Sequence, residues 1–203
     1  MRLRYGSHFH QFADLLVPDG DGPFPVAVLI HGGFWRERLT LDLDDGLARD
    51  LVPRGWAAWN IEYRRVGEVS GGGWPMTGED VAAAIDHLGR LDARLDLGRV
   101  VAIGHSAGGQ LAFWATARPT LPAEAPGAAP RVAIRAAVSQ AGVLDLTLGA
   151  GLMPSSAPTK ALLGDPAVDF HRYVLASPRE RLPLGVPQLV LHGDRDDLSL
   201  IHI

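Results

Sequence analysis

The sequence contains no cysteine, which excludes disulfides, thiol nucleophiles and cysteine-ligated metals. Lys160 is its single lysine, so positive charge is carried almost wholly by arginine. No apolar run is long enough to span a bilayer. The opening Met1-Arg-Leu-Arg-Tyr-Gly6 lacks the apolar stretch of a signal peptide, so the expected compartment is the cytoplasm. Net charge is −4 with no basic stripe, which argues against a nucleic-acid partner. What is present is an ordinary globular balance, 47% hydrophobic and 21% charged over 203 residues. That suffices for one domain with a real core.

Short apolar runs alternate with helical patterns. Phe9 to Val17 reads as a first strand, closed by the turn signal Pro18-Asp19-Gly20. Val26 to Ile30 is wholly apolar, as expected of a strand covered on both faces. Further strands are expected over Trp56–Tyr63, Val100–Ile103, Ile134–Val138 and Gln188–Leu191. Helices are expected over Leu41–Leu51, from Thr77 as a cap through Val81, Ala84, Ile85, Leu88 and Leu91, and over Ala107–Arg118. Residues 119–130 hold four prolines and read as a loop. Residues 147–175, with Pro154, Pro158 and many small side chains, read as a mobile lid loop before a short helix. The alternation implies an α/β fold: a doubly wound, mostly parallel sheet with helices on both faces. A site then belongs beyond the carboxyl ends of the strands.

Three motifs sit at such strand ends. Gly104-His-Ser-Ala-Gly-Gly109 follows an apolar strand and precedes a helix, the context of a nucleophile elbow with Ser106 at its apex. His31-Gly-Gly-Phe-Trp35 follows the strand ending at Ile30. Its glycines free backbone N–H groups to face an oxyanion, which makes Gly33, Phe34 and Ala107 the candidate donors. His31 reads as a brace for that loop. Leu191-His-Gly-Asp-Arg-Asp-Asp197 follows the last strand, and Asp196 is the candidate acid to orient a catalytic histidine; Asp145 is the rival. Asp194 and Asp197 read as turn residues. Phe34, Trp35 and Trp74 are candidate substrate contacts, or packing at the rim of the core.

Together these motifs resemble the α/β-hydrolase superfamily, in particular small esterases, feruloyl-esterase-like proteins and arylformamidases with H-G-G-x-W and G-H-S-A-G-G. Tyr63-Arg64, Gly73-Trp74-Pro75, Ala141 to Leu146 and Ala176-Ser177-Pro178 extend the likeness along the chain. The resemblance implies ester or amide hydrolysis of a small molecule through an acyl-enzyme on Ser106, without metal or organic cofactor. It also implies a triad in the order Ser, acid, His. An arylformamidase uses the same machinery; a non-catalytic binding module on this scaffold is the alternative of a different class.

The family pattern then calls for a further helix, a further strand and a loop bearing the catalytic histidine. The sequence instead closes with Leu198-Ser-Leu-Ile-His-Ile203. That hexapeptide is the translation of CTGTCTCTTATACACATC, a transposon-end adapter. Residues 1–197 are accordingly expected to be one incomplete α/β-hydrolase domain, and 198–203 a non-native tail. Of the eight histidines, only His202 lies beyond Asp196. His8 and His10 are expected on one strand face, His87 on a helix, and His171 stands before the acid, in the wrong order for a base. Little or no hydrolase activity is expected of the 203 residues alone.

Overall fold

A computed structural model describes residues 1–91, 94–151 and 156–196. Seven strands form one sheet: β1 (Arg2–Arg4), β2 (Phe12–Leu16), β3 (Phe24–Ile30), β4 (Ala57–Ile61), β5 (Leu95–His105), β6 (Ala136–Gln140) and β7 (Gln188–Leu191). Their order is β1-β2-β4-β3-β5-β6-β7. The pairs β1/β2 and β2/β4 are antiparallel, and the other four are parallel. The helices are α1 (Asp45–Leu51), α2 (Met76–His87), α3 (Ala107–Ala117), α4 (Leu146–Gly151), α5 (Ser156–Leu163) and α6 (Pro166–Ala176).

Strand β3 shows why an unbroken apolar run was needed. Val26, Val28 and Ile30 face one way and join Trp59, Ile61, Val81, Ile85 and Leu111. Ala27 and Leu29 face the other way, against Ala48 of α1, with Leu47 and Leu51 beside it. Successive side chains of a strand point to opposite faces, so a sheet covered on both sides accepts no polar alternation. Helix α3 is buried along its whole length behind β5 and β6. At the other extreme, all four residues of β7 are exposed, although it pairs with β6.

Several local expectations need correction. The first long strand begins at Phe12, because His8 to Gln11 form a turn in which the Gln11 N–H donates to the His8 carbonyl at 2.9 Å. His8 and His10 therefore share that turn, with their rings 5.6 Å apart, and not a strand face. Thr77 does not cap α2. It lies inside the helix, where its hydroxyl donates to the Arg64 carbonyl at 2.7 Å and accepts from the Gly73 N–H. The described residues within 147–175 are largely helical: they contribute most of α4, α5 and most of α6, and Leu162, Leu163 and Tyr173 join the main core. Pro158 sits in the first turn of α5, where its missing N–H costs nothing. Pro154, Asp197 and residues 198–203 lie outside the described residues.

Candidate active site

The parallel register sets the carboxyl ends of β3, β5 and β6 side by side, with Ile30 opposite Gly104 and Gly104 opposite Ser139. From β5 the chain turns sharply into α3, and Ser106 at the bend has φ 53°, ψ −119°. This backbone is strained for a residue with a side chain and persists only when its surroundings hold it. They do so tightly. A Cβ on Gly104 would stand 2.1 Å from the Gly108 carbonyl oxygen, and one on Gly108 would stand 1.8 Å from that of Ile30. The Ser106 N–H donates to the Gln140 carbonyl at 2.8 Å, tying the bend to the end of β6.

The loop after β3 carries three successive positive φ values: 117° at Gly33 and 55° at both Phe34 and Trp35. It passes close to the elbow, since a Cβ on Gly32 would lie 3.2 Å from that of Ser106. Among the described residues, no acceptor takes the N–H of Gly33, Phe34 or Ala107. His31 is fully buried beneath. One ring nitrogen lies 2.8 Å from the Gly32 carbonyl and the other 3.0 Å from Glu62. Its ring stacks on Tyr63, whose hydroxyl donates to the His31 carbonyl at 2.7 Å. It is a brace, as its position after the strand suggested.

Glu62 ties this underside together. Besides His31, its carboxylate accepts the N–H groups of Leu41 and Tyr63 and pairs with Arg65 at 3.1 Å. Burial by itself would raise this carboxyl; the His31 hydrogen bond and the nearby His31 and Arg65 charges outweigh it and hold it below its ordinary value. Sequence reasoning passed over Glu62. The available signal was a glutamate directly after an apolar strand, a placement that requires partners.

Above the elbow is a cavity of about 600 Å³. Ser106, Gly32, Gly33, Phe34, His105, Gln140, Ala141 and Asp196 line it. Leu39, Leu43, Asp44 and Leu47 complete its lining, with Leu39 packed close to Gly33. Thus Ser106, Gly33, Phe34 and Asp196 are brought to one space, with Ala107 directly behind Ser106. Asp196 also faces His192, Nε2 to Oδ2 being 3.4 Å.

Other candidates stand elsewhere. Asp145 does not line the cavity; it accepts the Leu148 N–H at the start of α4 and pairs with Arg179 at 2.5 Å. Trp35 and Trp74 do not line the cavity. Trp35 is buried, and its indole N–H donates to Gln110, which in turn donates to the Ala176 carbonyl. Trp74 packs edge-on against Trp114, with centroids 5.6 Å apart. Both belong to the main core, as large apolar rings tend to. His171 is exposed on α6.

This arrangement of sheet, elbow and glycine loop has matches among known proteins. The BD-FAE family profile covers residues 13–202. The chain belongs to the BD-FAE family. BD-FAE proteins are feruloyl-esterase-like α/β-hydrolases. A bifunctional GH43-CE protein of Bacteroides eggerthii superposes with a TM-score of 0.81 at 26% identity, over 98% of this chain and 31% of that one. Esterase B of Lactobacillus rhamnosis shares the fold at TM-score 0.78 and 20% identity, covering 97% of this chain and 65% of that one. A non-reducing polyketide synthase of Aspergillus terreus is 37% identical over 112 residues, which is 50% of this chain. The chain spans only 5% of that synthase's length. No helix among the described residues is long and apolar enough to cross a membrane.

Proposed function

We propose that the chain carries the catalytic frame of a serine esterase acting on a small-molecule ester. Ser106 Oγ attacks the ester carbonyl while its proton passes to an imidazole base. The resulting oxyanion is held by the N–H groups of Gly33, Phe34 and Ala107, and the alcohol leaves as the acyl-enzyme forms. Water then repeats the cycle on the acyl-enzyme. Asp196 is the acid that orients the base. The observation that carries this reading is Ser106, held at φ 53° on the wall of a cavity it shares with Gly33 and Phe34. Membership of the BD-FAE family, and the likeness to esterase B, support it.

The described residues do not supply the base. Among the described residues, no histidine hydrogen-bonds to Ser106. Triad enzymes lacking one member retain about 10³–10⁴-fold catalysis over water, from binding and the anion pocket. Residues 1–203 alone are therefore expected to turn over p-nitrophenyl acetate slowly. Free imidazole at tens of millimolar supplies a diffusible base, and the Ser106→Ala chain is the blank. Imidazole acceleration beyond that blank, with an acetyl adduct on Ser106 by intact mass, is the expected result. Equal rates for both chains overturn the nucleophile assignment. Turnover without imidazole at the level of a complete esterase overturns the claim about the base.

A further inference from the structure

Asp44 lines the same cavity as Ser106. It ends a 3₁₀ turn, Leu41–Asp44, and directly precedes α1. Leu39, Leu43 and Leu47 line the cavity with it, and their side chains offer it nothing polar. Oδ2 is shielded from solvent and takes no hydrogen bond among the described residues. Asp44 caps nothing either: no side-chain hydrogen bond forms at the start of α1. The charges that act on it are those of His31 and His105, at the ends of β3 and β5, and of Asp45 beside it. Neither arginine nor lysine is among them. Burial raises its carboxyl above the ordinary value.

A shielded carboxylate oxygen without a donor is costly, and folds normally supply one, as this fold does for Glu62. At Asp44 the donors are lacking just where the wall opens to a ligand-sized space. A second carboxylate, Asp196, lines the same cavity. Away from the Gly33 and Phe34 amides assigned to the reacting carbonyl, the pocket therefore presents carboxylate acceptors, and among the described residues its lining has no arginine or lysine with which to hold an anion.

We propose that Asp44 is a specificity-determining residue: its carboxylate receives a hydrogen bond from an O–H or N⁺–H group carried on the substrate. The pocket then selects donor-bearing esters over plain alkyl esters, and rejects esters bearing a second carboxylate. This rests on the esterase reading for the cavity's role but concerns recognition, not turnover. Hydrogen bonds to a charged group are worth enough to shift affinity by about tenfold or more.

The test uses slowly reacting amides of similar size and reads binding, so it does not depend on catalysis. Pentanamide, 4-hydroxybutyramide, 4-aminobutyramide and succinamate are titrated into the full chain by NMR. The hydroxyl or the ammonium compound is expected to bind about tenfold tighter than pentanamide, with succinamate weakest. Tighter hydroxyl binding identifies a polyol-type donor; tighter ammonium binding identifies a cationic one. In Asp44→Leu the donor compounds fall to the level of pentanamide. In Asp44→Asn, which keeps an acceptor oxygen and nearly the same shape, the ammonium advantage shrinks while that of the hydroxyl survives. Equal binding of all four amides by the parent chain overturns the proposal, as does an unchanged ranking in Asp44→Leu. Ser106→Ala is expected to keep the parent ranking, so loss of the Ser106 kinetics with the ranking intact removes the catalytic reading alone.

Discussion

The two walls of the cavity are built on opposite principles. The wall at the ends of β3 and β5 is over-determined: Ser106 and three loop residues hold positive φ, and every oxygen of Glu62 beneath them is engaged. The segment Leu39–Leu47 is anchored at Leu41, through Glu62 and Asn60, but is under-determined around Leu43 and Asp44. Leu43 is 54% exposed, and Asp44 keeps a shielded oxygen without a partner. Attack on a carbonyl demands fixed geometry, so the first wall spends its bonds on itself. Recognition demands groups still free to bond, so the second wall holds them in reserve.

The sharpest way to break this contrast is to loosen the rigid wall. Glu62→Ala leaves His31 and Arg65 buried without their carboxylate and frees the N–H groups of Leu41 and Tyr63. Removing one partner of a buried pair typically costs about 3–5 kcal/mol. Urea denaturation of the variant is expected to show a loss of that size, with a shortfall below about 1 kcal/mol refuting the structural weight given to this network. The sign with pH follows from the lowered carboxyl. Stability supplied by ionised Glu62 is fully present above its ordinary value of 4.5 and disappears as pH falls through the lower folded value.

A smaller change relieves strain on the same wall. Ser106→Gly removes the side chain that makes φ 53° unfavourable, at a position whose backbone glycine adopts freely. Held strain of this kind is worth about 1–3 kcal/mol. Glycine also gains entropy in the unfolded chain, which offsets part of that. The denaturation midpoint is expected to rise while all Ser106-dependent turnover is lost. A lower midpoint would mean that the elbow is not strained by its serine.

Legibility in the sequence divided along the same line. The sheet was readable because strands covered on both faces must be continuously apolar, as Val26 to Ile30 is. Ser106 and Gly33 were readable because a tight bend leaves glycine as its trace. The reach of the first strand was not, because the Gln11 side chain helps fold His8 to Gln11 back on themselves, and no periodicity reports that. Trp35 and Trp74 carried the composition of an aryl pocket, but their burial depends on Gln110 and Trp114, distant in sequence. Asp44 left no trace at all. A substrate-facing acid in a short turn looks like any solvated one until the tertiary structure removes its water.

The finest test therefore lies on the open wall, where function and stability should pull apart. Asp44 has its carboxyl raised by burial, so the folded chain holds that proton more firmly than the unfolded chain does. The corresponding stability is fully present below the ordinary value of 3.8 and is lost as pH rises through the higher folded value. At pH 7 the ionised group is a net cost, which Asp44→Asn removes because an amide does not ionise. A gain on the order of 1 kcal/mol at pH 7 is typical when a functional site is relaxed in this way. Parent and variant are compared at each pH, so the opposite trend from Glu62 cancels between them. The gap in urea midpoint is expected to be widest at pH 7 and to narrow toward pH 4. A variant less stable at pH 7, or a gap that widens on acidification, would mean that Asp44 is held by the fold and does not wait for a ligand.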